Sequence, residues 1–210
     1  MYGYLHRDEL EGYDFWGFCD IDVVFGDIRY FITDKVLEND VISSHSTRLA
    51  GHFSLFRNTP MLREAFRKVE GWEKKICDDK NHQFDEKDFS KLFIRYKNFP
   101  AWIRKYIPGY SKLKTKSYFK EFYSTPNCRI DWEDGSRNFP TEWYWERGIL
   151  TNNGSAKPFM YFHFLYWKQN YWKPDYREEN GHLSSGNAKY FSLNNKCEKF
   201  KIDKMGFHFI

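Results

Sequence analysis

Asp20-Ile21-Asp22 sets two carboxylates at i and i+2, directly after the aromatic run Tyr13 to Cys19, YDFWGFC. In an extended chain such positions share one face, so both can serve one divalent cation and the sugar-diphosphate that it carries. Hard oxygen ligands suit Mg²⁺ or Mn²⁺. His163, within KPFMYFHFLYWK, is a further ligand candidate. An imidazole beside carboxylates suits Mn²⁺ better than an all-oxygen shell would suit Ca²⁺. The plain alternative for His163 is a satisfied core or hairpin histidine. Asp85 and Glu86 lie in FDEKD, at the start of a helical pattern. Either can hydrogen-bond sugar hydroxyls or act as general base. Acidic residues also favour a helix's first turn for dipole reasons alone.

The elements that must position these groups follow from spacing and breakers. Residues 3–11 read as the end of a helix stopped by Gly12. Tyr13 to Cys19 reads as a buried strand. Val23 to Phe25 continues it, and Gly26-Asp27 opens a short helix through Ile32. His45 to Phe56, HSTRLAGHFSLF, reads as a strand interrupted by Gly51. Thr59-Pro60 is an N-cap with an N1 proline, predicting a helix to about Val69. Phe89, Leu92, Phe93 and Tyr96 recur at helical spacing, predicting a helix over 85–96, followed by a short basic helix around 101–107. Turn signals at Asp134-Gly135 and Asn152-Asn153-Gly154 mark a hairpin-rich second half. Met160 to Trp167 reads as a strand, 173–189 as an exposed loop, and KFKIDKMGFHFI as a final edge strand. The class is α/β, in a single domain over 1–210.

Composition excludes several alternatives. The 210 residues are 21% aromatic and 30% charged. Disordered chains lack that aromatic mass, and a chain this long buries roughly 70% of its unfolded surface. Cys19, Cys77, Cys128 and Cys197 are scattered, without CxxC or zinc-finger spacing, and read as reduced thiols. The N-terminal segment has no signal-peptide pattern. The most apolar run, Phe159 to Trp167, is far short of the roughly 20 residues of a membrane span. These features predict a cytoplasmic protein, at most peripheral at the inner face of the membrane. No phosphate-loop, dinucleotide or GxSxG fingerprint is present.

Charge is uneven. The net charge is +4, yet residues 1–40 hold ten acidic and three basic side chains. Arg104, Lys105, Lys112, Lys114, Lys116 and Lys120 crowd one stretch with several aromatics. That combination fits an anionic membrane, a phosphate-bearing lipid-linked acceptor or a nucleic acid, and equally a solvated surface. Nucleic acid lacks any recognition-module signature in its favour. Trp143, Trp145, Trp167 and Trp172 can stack on sugar rings or simply pack.

YDFWGFCDIDVVFGDIRYFI resembles the metal-binding segment of GT-A type glycosyltransferases. It is most similar to bacterial polysaccharide-cluster enzymes distantly related to glycosyltransferase family 8. RLAGHFSLFRNTP resembles the small-residue strand that these enzymes run under the donor sugar, with Gly51 and His52 at the matching positions. KPFMYFHFLYWK resembles the late strand that delivers a histidine ligand, followed by a lysine, here Lys168. The resemblance implies metal ligation by Asp20, Asp22 and His163. It implies nucleotide-sugar contacts from Asp20, Gly51, His52 and Lys168, and sugar or base roles for Asp85 or Glu86. It further implies a GT-A, Rossmann-like fold, a Mn²⁺ or Mg²⁺ cofactor, a UDP-sugar donor and a surface-polysaccharide, lipopolysaccharide or lipid-linked glycan acceptor. Only 19 residues precede Asp20, where the family carries its nucleotide-binding half, so an N-terminally truncated domain is expected. The reading of another class is a sugar- or nucleic-acid-binding module without activity. A degenerate glycosyltransferase acting as partner is a third.

Overall fold

The computed structural model describes residues 1–79, 82–94, 113–165, 198–203 and 206–210. They combine helices and strands. The strands are β1 (Phe15–Phe18), β2 (Val23–Phe25), β3 (Val41–Ser43), β4 (Ser54–Arg57), β5 (Ser117–Phe119), β6 (Trp143–Glu146), β7 (Ile149–Asn152), β8 (Ser155–Phe159), β9 (Tyr161–His163), β10 (Lys199–Asp203) and β11 (Gly206–Phe209). The helices are short: α1 (Tyr2–Leu5), α2 (Ile28–Phe31), α3 (Asp34–Leu37), α4 (Pro60–Arg63), α5 (Trp72–Cys77) and α6 (Ser90–Phe93). The chain divides into two compact units, Met1–Ile21 with Ile32–Glu121, and Asp22–Phe31 with Phe122–Ile210. It crosses from the first to the second inside the Asp20-Ile21-Asp22 motif.

The first unit is built on a sheet of order β1-β4-β3-β5. β4 runs antiparallel to both neighbours, while β3 and β5 pair in parallel. Trp16 of β1 stacks on Phe56 of β4, ring centroids 4.6 Å apart, and Phe56 meets Phe89 and Phe93. With Val41, Leu49, Leu62, Phe66 and Leu92 these form the unit's core. The aromatic run before Asp20 is therefore a strand because alternate residues, Trp16 among them, have a hydrophobic layer to enter.

Several elements of this unit are shorter than periodicity predicts. The helix expected over 3–11 is the single turn of α1, after which turns lead to Gly12 at φ +82°. Thr59 caps α4 as expected, its Oγ1 accepting from the Leu62 N–H, with Pro60 in the first turn. The helix does not run on to Val69. Glu64 leaves helical geometry, and Ala65–Lys68 tightens to a 3₁₀ turn that buries Ala65 and Phe66. The helix over 85–96 begins as a π-turn, Asp85–Phe89, before α6. Residues beyond 94 of that helix, and the basic helix after it, lie outside the described residues. Of the strand expected over 45–56 only the end, from Ser54, is strand, as the start of β4, because residues 44–53 form a loop instead.

The second unit contains an antiparallel sheet of order β11-β10-β6-β7-β8 and the two-stranded pair β2-β9. Alternation sorts its faces. Trp143, Leu150, Phe159, Phe200 and Ile202 are buried together with Trp132 and Phe162, whereas Tyr144, Lys201 and Asp203 form a polar network on the other face. Asn152 pairs with Ser155 across the expected turn. The turn between β6 and β7 uses Arg147 and Gly148, both at positive φ, where the sequence offers no Asn-Gly signal. Of the strand expected over Met160 to Trp167, only β9, Tyr161–His163, is strand; Phe164 and Leu165 have left it, and residues 166 and 167 lie outside the described residues. The C-terminal segment forms the hairpin of β10 and β11, with β11 at the sheet's edge.

Candidate functional site

In the first unit β1 ends at Phe18, and the chain leaves the sheet through Cys19 and Asp20 to a fully exposed Ile21. Opposite lies the loop over 44–53. It forms no strand, and besides the Ser44 N–H bond to Phe53 O, serine hydroxyls bind much of its backbone. Ser43 Oγ donates to Arg48 O and accepts from the His45 and Ala50 N–H groups. Ser44 Oγ donates to Phe53 O and Ser54 Oγ to Ala50 O. Ser90 Oγ accepts from the Leu49 N–H at 2.9 Å and donates to Asp85 O at 2.9 Å. All four serines are completely buried. A buried backbone must be hydrogen-bonded, and this mesh satisfies it while holding Gly51 and His52 in place.

Gly51 is the point of closest approach. A Cβ there would meet Asp85 Oδ2 at 3.1 Å and the Asp20 carboxylate oxygens at 3.8 and 3.9 Å. Asp20 and His52 also bring ligand atoms within 4.8 Å of each other. Asp20, Gly51, His52 and Asp85, four residues singled out in the sequence, thus converge on one spot. Glu86 does not join them. Its carboxylate lies 3.2 Å from the Arg48 guanidinium, which ties the π-turn to the serine-held loop. Of the two acidic candidates, Asp85 is the one at Gly51.

In the second unit β2 and β9 pair antiparallel with Val23 opposite His163. The Phe164 N–H donates to Asp22 O and the His163 N–H to Ser124 O. This register sets the His163 ring beside the Asp22 carboxylate, Nε2 to Oδ2 3.7 Å, with the side chains only 3% and 10% exposed. The distance is longer than a direct hydrogen bond. Ligands about 2.1 Å from a shared cation lie roughly 3.0–3.5 Å apart at octahedral to tetrahedral angles, so the pair at 3.7 Å stands a few tenths of an ångström wider than two ligands of one ion and would have to close slightly to share one. On the ring's other side Thr125 Oγ1 is 3.1 Å from Nδ1. Gly26 fits this unit tightly. Its N–H donates to Met160 O, and a Cβ would fall 2.4 Å from Phe159 O.

Sequence reasoning missed Thr125, Arg48 and the buried serines, because single hydroxyls and arginines carry no spacing signal. Lys168, Trp167 and Trp172 lie outside the described residues, as do Arg104, Lys105 and Lys112. Trp143 is fully buried in the core and Trp145 stacks on Phe200 at 5.1 Å. Trp143 therefore packs, while Trp145 is half-buried. Cys19, Cys77 and Cys128 are free thiols. Burial and the neighbouring Asp20 push the Cys19 thiol up from its ordinary value. Among the described residues no helix is long and apolar enough to cross a membrane.

No curated protein and no solved structure matches the chain. A family model described as Family of unknown function (DUF6625) matches residues 1–201. That match spans both compact units, and the chain belongs to this family of unknown function, DUF6625.

Proposed function

We propose that this chain is the metal-binding, catalytic portion of a GT-A-like glycosyltransferase. It would move a sugar from a nucleotide-sugar, a UDP-sugar first, to a hydroxyl of a surface-polysaccharide, lipopolysaccharide or lipid-linked glycan. The observation that supports this most is the Asp22–His163 pair: a histidine far along the chain meets the second carboxylate of the Asp-x-Asp at 3.7 Å. The mixed helix and strand content is compatible with such a fold.

In this reading Asp20, Asp22 and His163 hold Mn²⁺ or Mg²⁺. Two residues of chain keep the Asp20 and Asp22 Cα atoms within about 7 Å whatever else moves. The cation, when bound, neutralises the diphosphate leaving group. Asp85, beside Gly51, accepts hydrogen bonds from the donor sugar's hydroxyls, and the missing Gly51 side chain leaves that sugar room. His52 contacts the donor. Lys114, Lys116 and Lys120 belong to the basic stretch that would attract a phosphate-bearing acceptor at the cytoplasmic face of the membrane.

Calorimetric titration of UDP with and without Mn²⁺, beside Asp22→Ala, tests the proposal. Binding that requires both the metal and Asp22 is expected. UDP binding equal in the folded Asp22→Ala protein, or indifferent to Mn²⁺, overturns the site. Binding of single-stranded nucleic acid that weakens steeply with salt, in place of UDP, favours the binding-module reading.

A further inference from the structure

We propose that Thr125 is a positioning residue that presents His163 to a divalent cation; this rests on the metal reading above. The segment at 124–125 grips His163 twice. Ser124 O accepts from the His163 backbone N–H at 2.9 Å, and Thr125 Oγ1 lies 3.1 Å from the ring Nδ1. The ring's other nitrogen, Nε2, faces Asp22 Oδ2 at 3.7 Å. Asp22 is itself fixed, its carbonyl accepting from the Phe164 N–H, one residue beyond His163. Hydroxyl, imidazole and carboxylate therefore stand in one line within the second unit, with the ring nine-tenths and more buried.

A threonine hydroxyl both donates and accepts. When it accepts from Nδ1–H, the neutral ring carries its lone pair on Nε2, the atom that faces Asp22. That is the tautomer and the direction a metal ligand needs. The hydroxyl orients the ring without adding a charge of its own. Thr125 Oγ1 meets the ring at Nδ1, so its effect reaches the cation through His163.

The test is a Mn²⁺ titration of the purified full chain, with free Mn²⁺ read by electron paramagnetic resonance. Four proteins are compared: the unaltered chain, Thr125→Val, Thr125→Ser and Asp22→Asn. Valine keeps the branched shape without the hydroxyl, and serine keeps the hydroxyl. Removing an outer hydrogen-bond partner of a ligating histidine typically costs about 10–100-fold in metal affinity. That loss is expected for Thr125→Val, with recovery in Thr125→Ser. A merely structural Thr125 would lower the melting temperature while the folded variant kept its Mn²⁺ affinity, and that result overturns the proposal alone. Mn²⁺ bound equally well by Asp22→Asn, or not bound at all, overturns the metal reading and this proposal with it. If Thr125→Val does not fold, Thr125→Ala against Thr125→Ser gives the same comparison.

Discussion

Ser90→Ala should cost far more than a serine usually does. The Ser90 hydroxyl is completely buried and makes two bonds, accepting from the Leu49 N–H and donating to Asp85 O, each 2.9 Å. The two ends of the bridge are not equivalent. Asp85 O still accepts from the Ser90 backbone N–H after the change, so it loses one of two donors. Leu49 is fully buried, and its N–H would have no acceptor. An orphaned buried donor costs about 1–3 kcal/mol and a lost neutral hydrogen bond about 0.5–1.5 kcal/mol. Alanine's better helix propensity returns a few tenths. The sum is about 2–3 kcal/mol.

Urea unfolding followed by circular dichroism reads this directly. With a slope of about 1–3 kcal/mol/M, the midpoint should fall by roughly 1 M at constant slope. Ser136→Ala, in an exposed turn where Ser136 Oγ accepts from the Asn138 N–H, is the control and should stay within about 0.5 kcal/mol. If Ser90→Ala stays within that same margin, the loop over 44–53 does not depend on the bridge. The claim that Ser90 holds Asp85 in register with Gly51 then fails.

Gly26→Ala should destabilise by about 1–3 kcal/mol or more, because the added Cβ meets the Phe159 carbonyl at 2.4 Å and backbone cannot swing aside; a thermal melt checks it. Arg57→Ala should cost about 2–3 kcal/mol, since its guanidinium donates to Asp40 Oδ1 and to the Leu37 and Asn39 carbonyls. Arg57→Lys should recover less than half in urea unfolding, because an ammonium cannot span that fork. Hydrogen bonds from Lys75 and Lys91 hold the Asp88 carboxyl down at about 2. A depressed folded value stabilises above the unfolded value near 4 and is lost as pH falls through the folded one. Asp88→Asn should therefore be less stable at pH 7, by under about 1 kcal/mol at this partly exposed site. The difference should vanish between about pH 4 and pH 2 in parallel melts.

The grouping of Asp20, Gly51, His52 and Asp85 was more legible in the sequence than the lengths of the elements that carry them. Asp20 and Asp22 follow an aromatic strand, and β1 is where the pattern puts it. The N-cap at Thr59 is a local signal with a local cause, and the structure shows its hydrogen bond. Helix lengths were not legible, because tertiary packing overrides periodicity. Ala65 and Phe66 reach the core in a 3₁₀ turn, and the widened turn at Asp85–Phe89 lets Ser90 bond both to Asp85 and to Leu49. The loop over 44–53 looks like a strand because Leu49, Ala50 and Phe53 are apolar and buried. What keeps it out of the sheet is hydroxyls at four separate positions, which no periodicity registers.

That serine mesh also explains why Asp85 and Glu86, adjacent in sequence, end in different surroundings. A loop that runs through a core has to satisfy its backbone without a ladder, and each hydroxyl that does so fixes one carbonyl or N–H to a particular neighbour. Ser90 ties Leu49 to Asp85 from beneath, and Arg48, the next residue back, reaches outward to Glu86. One acidic side chain is thereby neutralised at the rim, while the other lies across Gly51 from Asp20. The two carboxylates are like charges close to one glycine, and the His52 imidazole, which brings a ligand atom within 4.8 Å of Asp20, lies on the same spot. A core assembled from apolar contacts alone would not fix the loop's carbonyls and N–H groups one by one. The buried hydroxyls hold the loop on one side, and its polar side chains gather on the other.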